Sequence, residues 1–123
     1  MNCIFCSLER NIVLESRYFY VVNDRYPIAN NHMLVISKRH FKSIRNIETK
    51  EGLDLLNTIK ESISYLSREY LIDNYNFGVN DGVCAGQTIP HFHLHIIPRV
   101  IGDVDFNPKG GVRHILQNGK GYY

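Results

Sequence analysis

A chain of 123 residues, 44% of them apolar and 21% charged, has room for one hydrophobic core and is short for two domains. That balance excludes a disordered polyelectrolyte, and the absence of a long apolar run argues against a membrane-spanning chain. With a net charge of +2 and Lys and Arg scattered along the sequence, there is no broad basic face for nucleic acid.

The first residues, MNCIFCSLER, lack the cationic start and extended apolar run of a signal peptide, so a cytoplasmic location is expected. Thiols stay reduced there, and Cys3-x-x-Cys6 reads as a metal or redox feature rather than a disulfide framework; Cys84 stands apart. Next come two short runs of β-branched and aromatic residues, Phe19 to Asn23 and Met33 to Ile36, which predict two strands joined by DRYPIANN. From Thr49 to Tyr70 the apolar set Leu53, Leu56, Ile59, Ile63, Leu66 and Tyr70 recurs at steps of three and four, one face of an amphipathic helix. Thr49, with Glu51 after it, is the expected cap, and Asp73-Asn74 the expected end. Tyr75 to Val79 and His91 to Ile97 predict a further strand pair around the Gly-rich loop NDGVCAGQTIP. Strands, one long helix, then strands point to an α+β fold, an antiparallel sheet with the helix packed on one face. The whole of 1–123 is expected to be a single domain, with 102–123 as an irregular tail on the surface or on a partner subunit.

The stretch HFHLHIIP, residues 91–98, places half of the six histidines within five positions. On a strand, Phe92, Leu94 and Ile96 share one face and His91, His93 and His95 the other, spaced roughly 6.5–7 Å apart. Such a row is costly to bury unless each imidazole finds a partner. It suits two chemistries: a zinc ion with an open position for water, or a nucleophilic imidazole attacking phosphorus while its neighbours neutralise the phosphate oxygens. The preceding loop favours phosphate, because Asn80, Gly82, Gly86, Gln87 and Thr88 supply amide, hydroxyl and exposed backbone donors with few charges.

At these residues the sequence closely resembles the histidine triad family of nucleotide hydrolases and transferases. NDGVCAGQTIPHFHLHIIPR carries the family's alternation of histidine and apolar residues after Gly-Gln-Thr, and DRYPIANNHMLVISKRH is similar to its upstream segment, with Asp24, Pro27, His32 and His40 at the expected intervals. The resemblance implies an antiparallel sheet of about five strands with one long helix, in a homodimer. It implies that His93 is the nucleophile, its tautomer set by a backbone carbonyl within the triad strand, and that a nucleotidyl-histidine forms and is hydrolysed. His95 and Gln87 would contact the phosphate oxygens or the leaving-group bridge, with Asn80 and Thr88 assisting, His91 and His32 completing the catalytic set, and Asp24 on the ribose hydroxyls. Substrates would be dinucleoside polyphosphates or nucleotide phosphoramidates; a nucleotide-binding regulatory module with residual hydrolysis is the alternative. Zinc-containing members imply a structural zinc ion on Cys3, Cys6, His40 and His91, and no organic cofactor. Four positions depart from the family pattern: Asn30-Asn31 before His32, Ser37 in place of a proline, and Arg25 where an apolar contact to the base is common. Lys38, Arg39 and Arg45 are available to steer phosphate.

Overall fold

The computed structural model describes residues 3–8, 10–105 and 107–116. Five strands, β1 (Leu14–Glu15), β2 (Phe19–Asn23), β3 (Met33–Ser37), β4 (Tyr75–Gly78) and β5 (His93–Pro98), form one antiparallel sheet in the order β1-β2-β3-β5-β4. The one long helix, α1 (Thr49–Tyr70), packs on one face of it. Strand β1 is only two residues long, which is why no periodicity announces it.

Register sorts the side chains of the central strands. Val21 pairs with Val35 and Val35 with Leu94, a row that joins Phe19, Met33 and Ile96 in the core beneath α1. On the opposite face Tyr20, Ile36 and His93 form one row and Val22, Leu34 and His95 the next. The N-terminal segment lies over this second face: Phe5, Cys3 and Leu8 pack on Val22, Leu34 and Ile36. Strand β3 is therefore buried at all five positions, covered by α1 on one side and by the N-terminus on the other.

Helix α1 has the expected bounds, Thr49–Tyr70, and differs from its sequence reading in rotation and in the residues that cap it. Its buried positions are Glu51, Leu55, Thr58, Ser62 and Leu66, whereas Leu53, Leu56 and Tyr70 are 65%, 57% and 48% exposed. The face toward the sheet admits polar residues because Thr58 Oγ1 donates to the Asp54 carbonyl at 2.6 Å and Ser62 Oγ to the Thr58 carbonyl at 2.7 Å, so each hydroxyl is satisfied inside the helix. The cap is Glu48, not Thr49: a capping box forms between Glu48 and Glu51, and the Glu48 N–H donates to Glu51 Oε1 at 2.9 Å. Leu71, in the left-handed conformation at φ 57°, ends the helix before Asp73-Asn74.

Glu51 also takes a two-pronged ion pair from Arg39, Nε to Oε2 at 2.9 Å and a terminal nitrogen to Oε1 at 2.8 Å. Lys38 pairs with Glu15 at 2.6 Å. Two of the three cations proposed to steer phosphate are thus committed to the scaffold, and Arg39 ties the start of α1 to the segment carrying His40. In the tail, Gly111–Ile115 forms a short 3-10 turn; the remainder, 117–123, lies outside the described residues.

Candidate active site

The triad histidines do not share one strand. His91 sits at a bend before β5, fully buried, while His93 and His95 lie on β5 and face the side away from α1. This corrects the sequence reading of a strand beginning at His91: its carbonyl and ring are used for other things.

The ring of His91 is fixed by Ser37, whose carbonyl lies 2.7 Å and hydroxyl 3.1 Å from Nε2. A carbonyl only accepts, so Nε2 carries the proton and Nδ1 keeps its lone pair. That nitrogen is 3.3 Å from Cys3 Sγ, 3.5 Å from Cys6 Sγ and 3.0 Å from His40 Nδ1, and Cys6 Sγ is 3.2 Å from His40 Nδ1. Burial holds His91 below its ordinary pKa, opposed in part by the Ser37 carbonyl. Two thiols and two imidazole nitrogens pointing at one centre are poor hydrogen-bond partners but a complete Cys₂His₂ donor set. Around zinc, with bonds of about 2.0–2.3 Å, tetrahedral ligand atoms stand roughly 3.3–3.8 Å apart, close to the spacings seen. Cys3, Cys6, His40 and His91 therefore fit a structural zinc ion, with Ser37 orienting the His91 ring as an outer-shell partner.

His93 has the opposite tautomer. Its Nδ1 lies 2.8 Å from the His91 carbonyl, so Nδ1 carries the proton and Nε2 keeps the lone pair. Phe5 stands edge-on to this ring at 5.0 Å between centroids and to His91 at 5.9 Å. Phe5 lies between Cys3 and Cys6, so zinc binding and the packing of His93 are joined by three residues of chain.

A third arrangement surrounds His95. The Ile28 N–H donates to His32 Nδ1 at 3.2 Å, which leaves the proton of His32 on Nε2. That atom is 2.9 Å from His95 Nδ1 and 3.3 Å from Asp24 Oδ2. His95 Nδ1 accepts, and its own proton is placed on Nε2. Burial first, then the neighbouring His93 and His32, press the His95 pKa down to about 4, with Asp24 opposing; burial also lowers His32. Asp24, His32 and His95 stand close enough to resemble a metal triad. The hydrogen-bond accounting argues against one, because a metal on His32 Nε2 would move that ring's proton to Nδ1, against the Ile28 N–H. Asp24 Oδ1 accepts the Tyr26 N–H at 2.8 Å, and Asn31, at φ 65°, makes the turn into His32 with a residue that tolerates it.

The cleft over this face is about 1700 Å³ and is lined by Asp24, His32, His93 and His95, with Asn80, Gly86 and Thr88 from the loop. Gln87 differs from the others. Its amide oxygen accepts the Gly82 N–H at 2.9 Å and its nitrogen donates to the Lys42 and Ile89 carbonyls at 3.1 and 3.2 Å, so it staples the loop. Gly82 and Gly86 adopt φ of 101° and 94°, the left-handed values that let this loop fold back on itself. His114 also lines the cleft. The sequence reading missed Phe5 and Ser37 as supports; the only signal was the place of each, Phe5 inside the Cys-x-x-Cys pair and Ser37 as a polar residue closing an apolar strand.

Residues 7–101 match the family model for the HIT domain. The chain belongs to the HIT family. It is 30% identical over 118 residues to an uncharacterised HIT-like protein of Methanocaldococcus jannaschii, covering 92% of this chain and 91% of that one. It is 36% identical over 81 residues to the bis(5'-nucleosyl)-tetraphosphatase (asymmetrical) of Schizosaccharomyces pombe, covering 66% of this chain and 44% of that enzyme. Among solved structures, a zinc-bound histidine triad family protein from Mycobacterium smegmatis superposes with a TM-score of 0.75 at 28% identity, over 84% of this chain and 78% of the other. That likeness and the four-residue cluster agree on structural zinc in this HIT protein.

Two outcomes follow. Purified protein should carry close to one zinc ion per chain, and chelation should lower its melting temperature; metal content far below one with an unmoved melting temperature would contradict the site. The second concerns acid. The unfolded chain takes up a proton on His95 near pH 6.5, whereas the folded one resists it until about 4. The stabilisation is complete above about pH 6.5 and is lost as pH falls toward 4. A His95→Gln variant should lose less stability than the parent over that range, by roughly 1–3 kcal/mol at 1.36 kcal/mol per pH unit; parallel curves in chemical denaturation would contradict it.

Proposed function

We propose that this HIT protein hydrolyses a phosphoanhydride or phosphoramidate bond at the α-phosphate of a nucleotide through a covalent intermediate on His93. The observation that carries this reading is the 2.8 Å hydrogen bond from His93 Nδ1 to the His91 carbonyl, which leaves Nε2 with a lone pair in the cleft. Nucleophilic attack by Nε2 forms a P–N bond and breaks the bond to the leaving group. The His93 ring becomes cationic as it does so, and the Nδ1–H to carbonyl bond strengthens with that charge. His95, neutral and protonated on Nε2, donates to the bridging atom or an equatorial oxygen, and Thr88, Asn80 and the loop amides supply further donors. Water then attacks phosphorus from the vacated side, breaks the P–N bond, and releases a nucleoside monophosphate and a proton. Asp24, whose Oδ2 lies 3.9 Å from His95 Nδ1, accepts hydrogen bonds from the ribose hydroxyls in this reading. The structural zinc anchors His91, and through its carbonyl the nucleophile; no step of the reaction passes through it.

Dinucleoside polyphosphates and nucleotide phosphoramidates are the substrate classes, since both place an α-phosphate against a leaving group that a neutral imidazole can assist. The tetraphosphatase relative supports the first. Rapid acid-free quenching of the parent with a radiolabelled dinucleoside polyphosphate should leave nucleotide on the protein, and His93→Gly should show none while losing at least about a thousandfold in rate. An active His93→Gly, or a parent that never acquires label under single-turnover conditions, would overturn the covalent route.

We further propose a homodimer. Leu53, Leu56 and Tyr70 on α1 form an exposed apolar stripe, and β4, with Phe77 half exposed, ends the sheet with an unpaired edge. Sedimentation should give twice the chain mass, and Leu56→Glu should shift it to one chain; a monomeric parent at micromolar concentration would contradict this.

A further inference from the structure

The two ends of the cleft differ in chemistry, and we infer that the nucleoside end selects guanine through Arg10 and Arg25. The inference rests on the nucleotide reading above. Strand β4 runs antiparallel to β5 with Gly78 opposite His95, so the loop after it leaves toward the His91 end, whereas Asp24 follows Asn23, in the Met33–Ile96 row, and lies 3.9 Å from His95 Nδ1. The loop offers amide and hydroxyl donors suited to phosphate, and Asp24 offers acceptors suited to sugar hydroxyls. A nucleotide with its α-phosphate between His93 and His95 therefore carries its base past Asp24.

Two arginines wait there. Arg25 follows Asp24 in the chain, is exposed and lines the cleft. Arg10 comes from the N-terminal segment, its guanidinium 5.9 Å from the centroid of Phe5, the same ring that packs on His93. The third arginine of the cleft, Arg99, is neutralised by a two-pronged pair with Asp103 at 2.7 and 2.9 Å. Among the described residues Arg10 and Arg25 form no ion pair with any carboxylate. They also sense each other: burial lowers the Arg10 pKa, the charge of Arg25 lowers it further, and Asp24 opposes both.

A guanidinium is a fixed fork of N–H donors with no acceptor. Guanine presents two acceptors, N7 and O6, side by side on one edge, which matches the fork. Adenine sets an amine that donates beside its acceptor on either edge, N7 or N1, so a fork of donors meets a like donor there. Two donor forks beside the base, with the amides of Asn30 and Asn31 able to serve either purine, thus favour guanine over adenine. Bidentate recognition of this kind discriminates by about tenfold or more. Phe5 and Leu8 also line the cleft and add apolar surface to it.

The test is calorimetric binding of GMP and AMP to the zinc-loaded full chain, in the parent, in Arg25→Ala and in Arg10→Ala/Arg25→Ala, with zinc content measured in each. The parent should bind GMP at least about tenfold more tightly than AMP; the ratio should shrink in Arg25→Ala and approach one in the double variant, with AMP affinity changing little. Equal affinities in the parent, a preference that survives in the double variant, or an equal loss for both nucleotides would overturn guanine selection while leaving the nucleotide reading intact. Failure of the parent to bind either nucleotide at millimolar concentration would instead overturn the nucleotide reading, and this inference with it. Because Arg25 is exposed, its single variant keeps the test decisive if the Arg10 substitution disturbs the N-terminal segment.

Discussion

One hydrogen bond organises the site: the Nδ1–H of His93 donating to the backbone carbonyl of His91 at 2.8 Å. It settles which nitrogen of His93 is free, and it does so with an acceptor that has no titration of its own. The carbonyl stays in place because His91 is held from both sides. Its Nε2 is bound to Ser37 at the end of β3, and its Nδ1 faces the Cys₂His₂ cluster that brings in the N-terminus and His40. His93 itself is registered by the ladder with Ile36 and covered by Phe5. The Cys₂His₂ cluster, the sheet and His93 are thus successive links of a short covalent and hydrogen-bonded path.

Three histidines so close in sequence end up with three different duties because each meets a different partner. His91 leaves the strand at a bend and turns its lone pair toward thiols. His93 and His95 stay on β5, both facing the cleft, yet carry their protons on opposite nitrogens. A carbonyl accepts from one, and the neighbouring His32 donates to the other. His32 can do so only because the Ile28 N–H occupies its far nitrogen. The cleft thus juxtaposes the lone pair of one imidazole with the N–H of its neighbour, an acceptor and a donor side by side.

Much of this was legible in the sequence, and the remainder has physical reasons for being hidden. Strands β2, β3, β4 and β5 and the long helix announce themselves by β-branched runs and by a period of three to four residues. The rotation of α1 does not, because its buried face includes Thr58 and Ser62, which satisfy themselves on carbonyls one turn back, while Leu53, Leu56 and Tyr70 face outward and only Ile59 and Leu66 of the predicted stripe meet the core. The alternation of His91, His93 and His95 pointed to one face of a strand, but alternation assumes a straight strand, and His91 lies before β5 begins. The Cys-x-x-Cys pair could be matched to His40 and His91 by family resemblance, whereas nothing local shows that Ser37 completes the arrangement. Gln87 carries a phosphate-binding residue type, yet its donors and acceptor are taken up by loop backbone groups that no linear pattern reveals. Arg39 likewise has the charge to attract phosphate, and a buried Glu51 twelve residues away claims it.

The central claim is that adjacent strand histidines hold opposite neutral tautomers. Nitrogen-15 NMR of the zinc-loaded protein at pH 7, correlating each imidazole nitrogen with its ring protons, reads this directly. The account predicts a protonated Nδ1 and a lone-pair Nε2 for His93, and the reverse for His95. The same tautomer at both rings, or a doubly protonated His95, would contradict it.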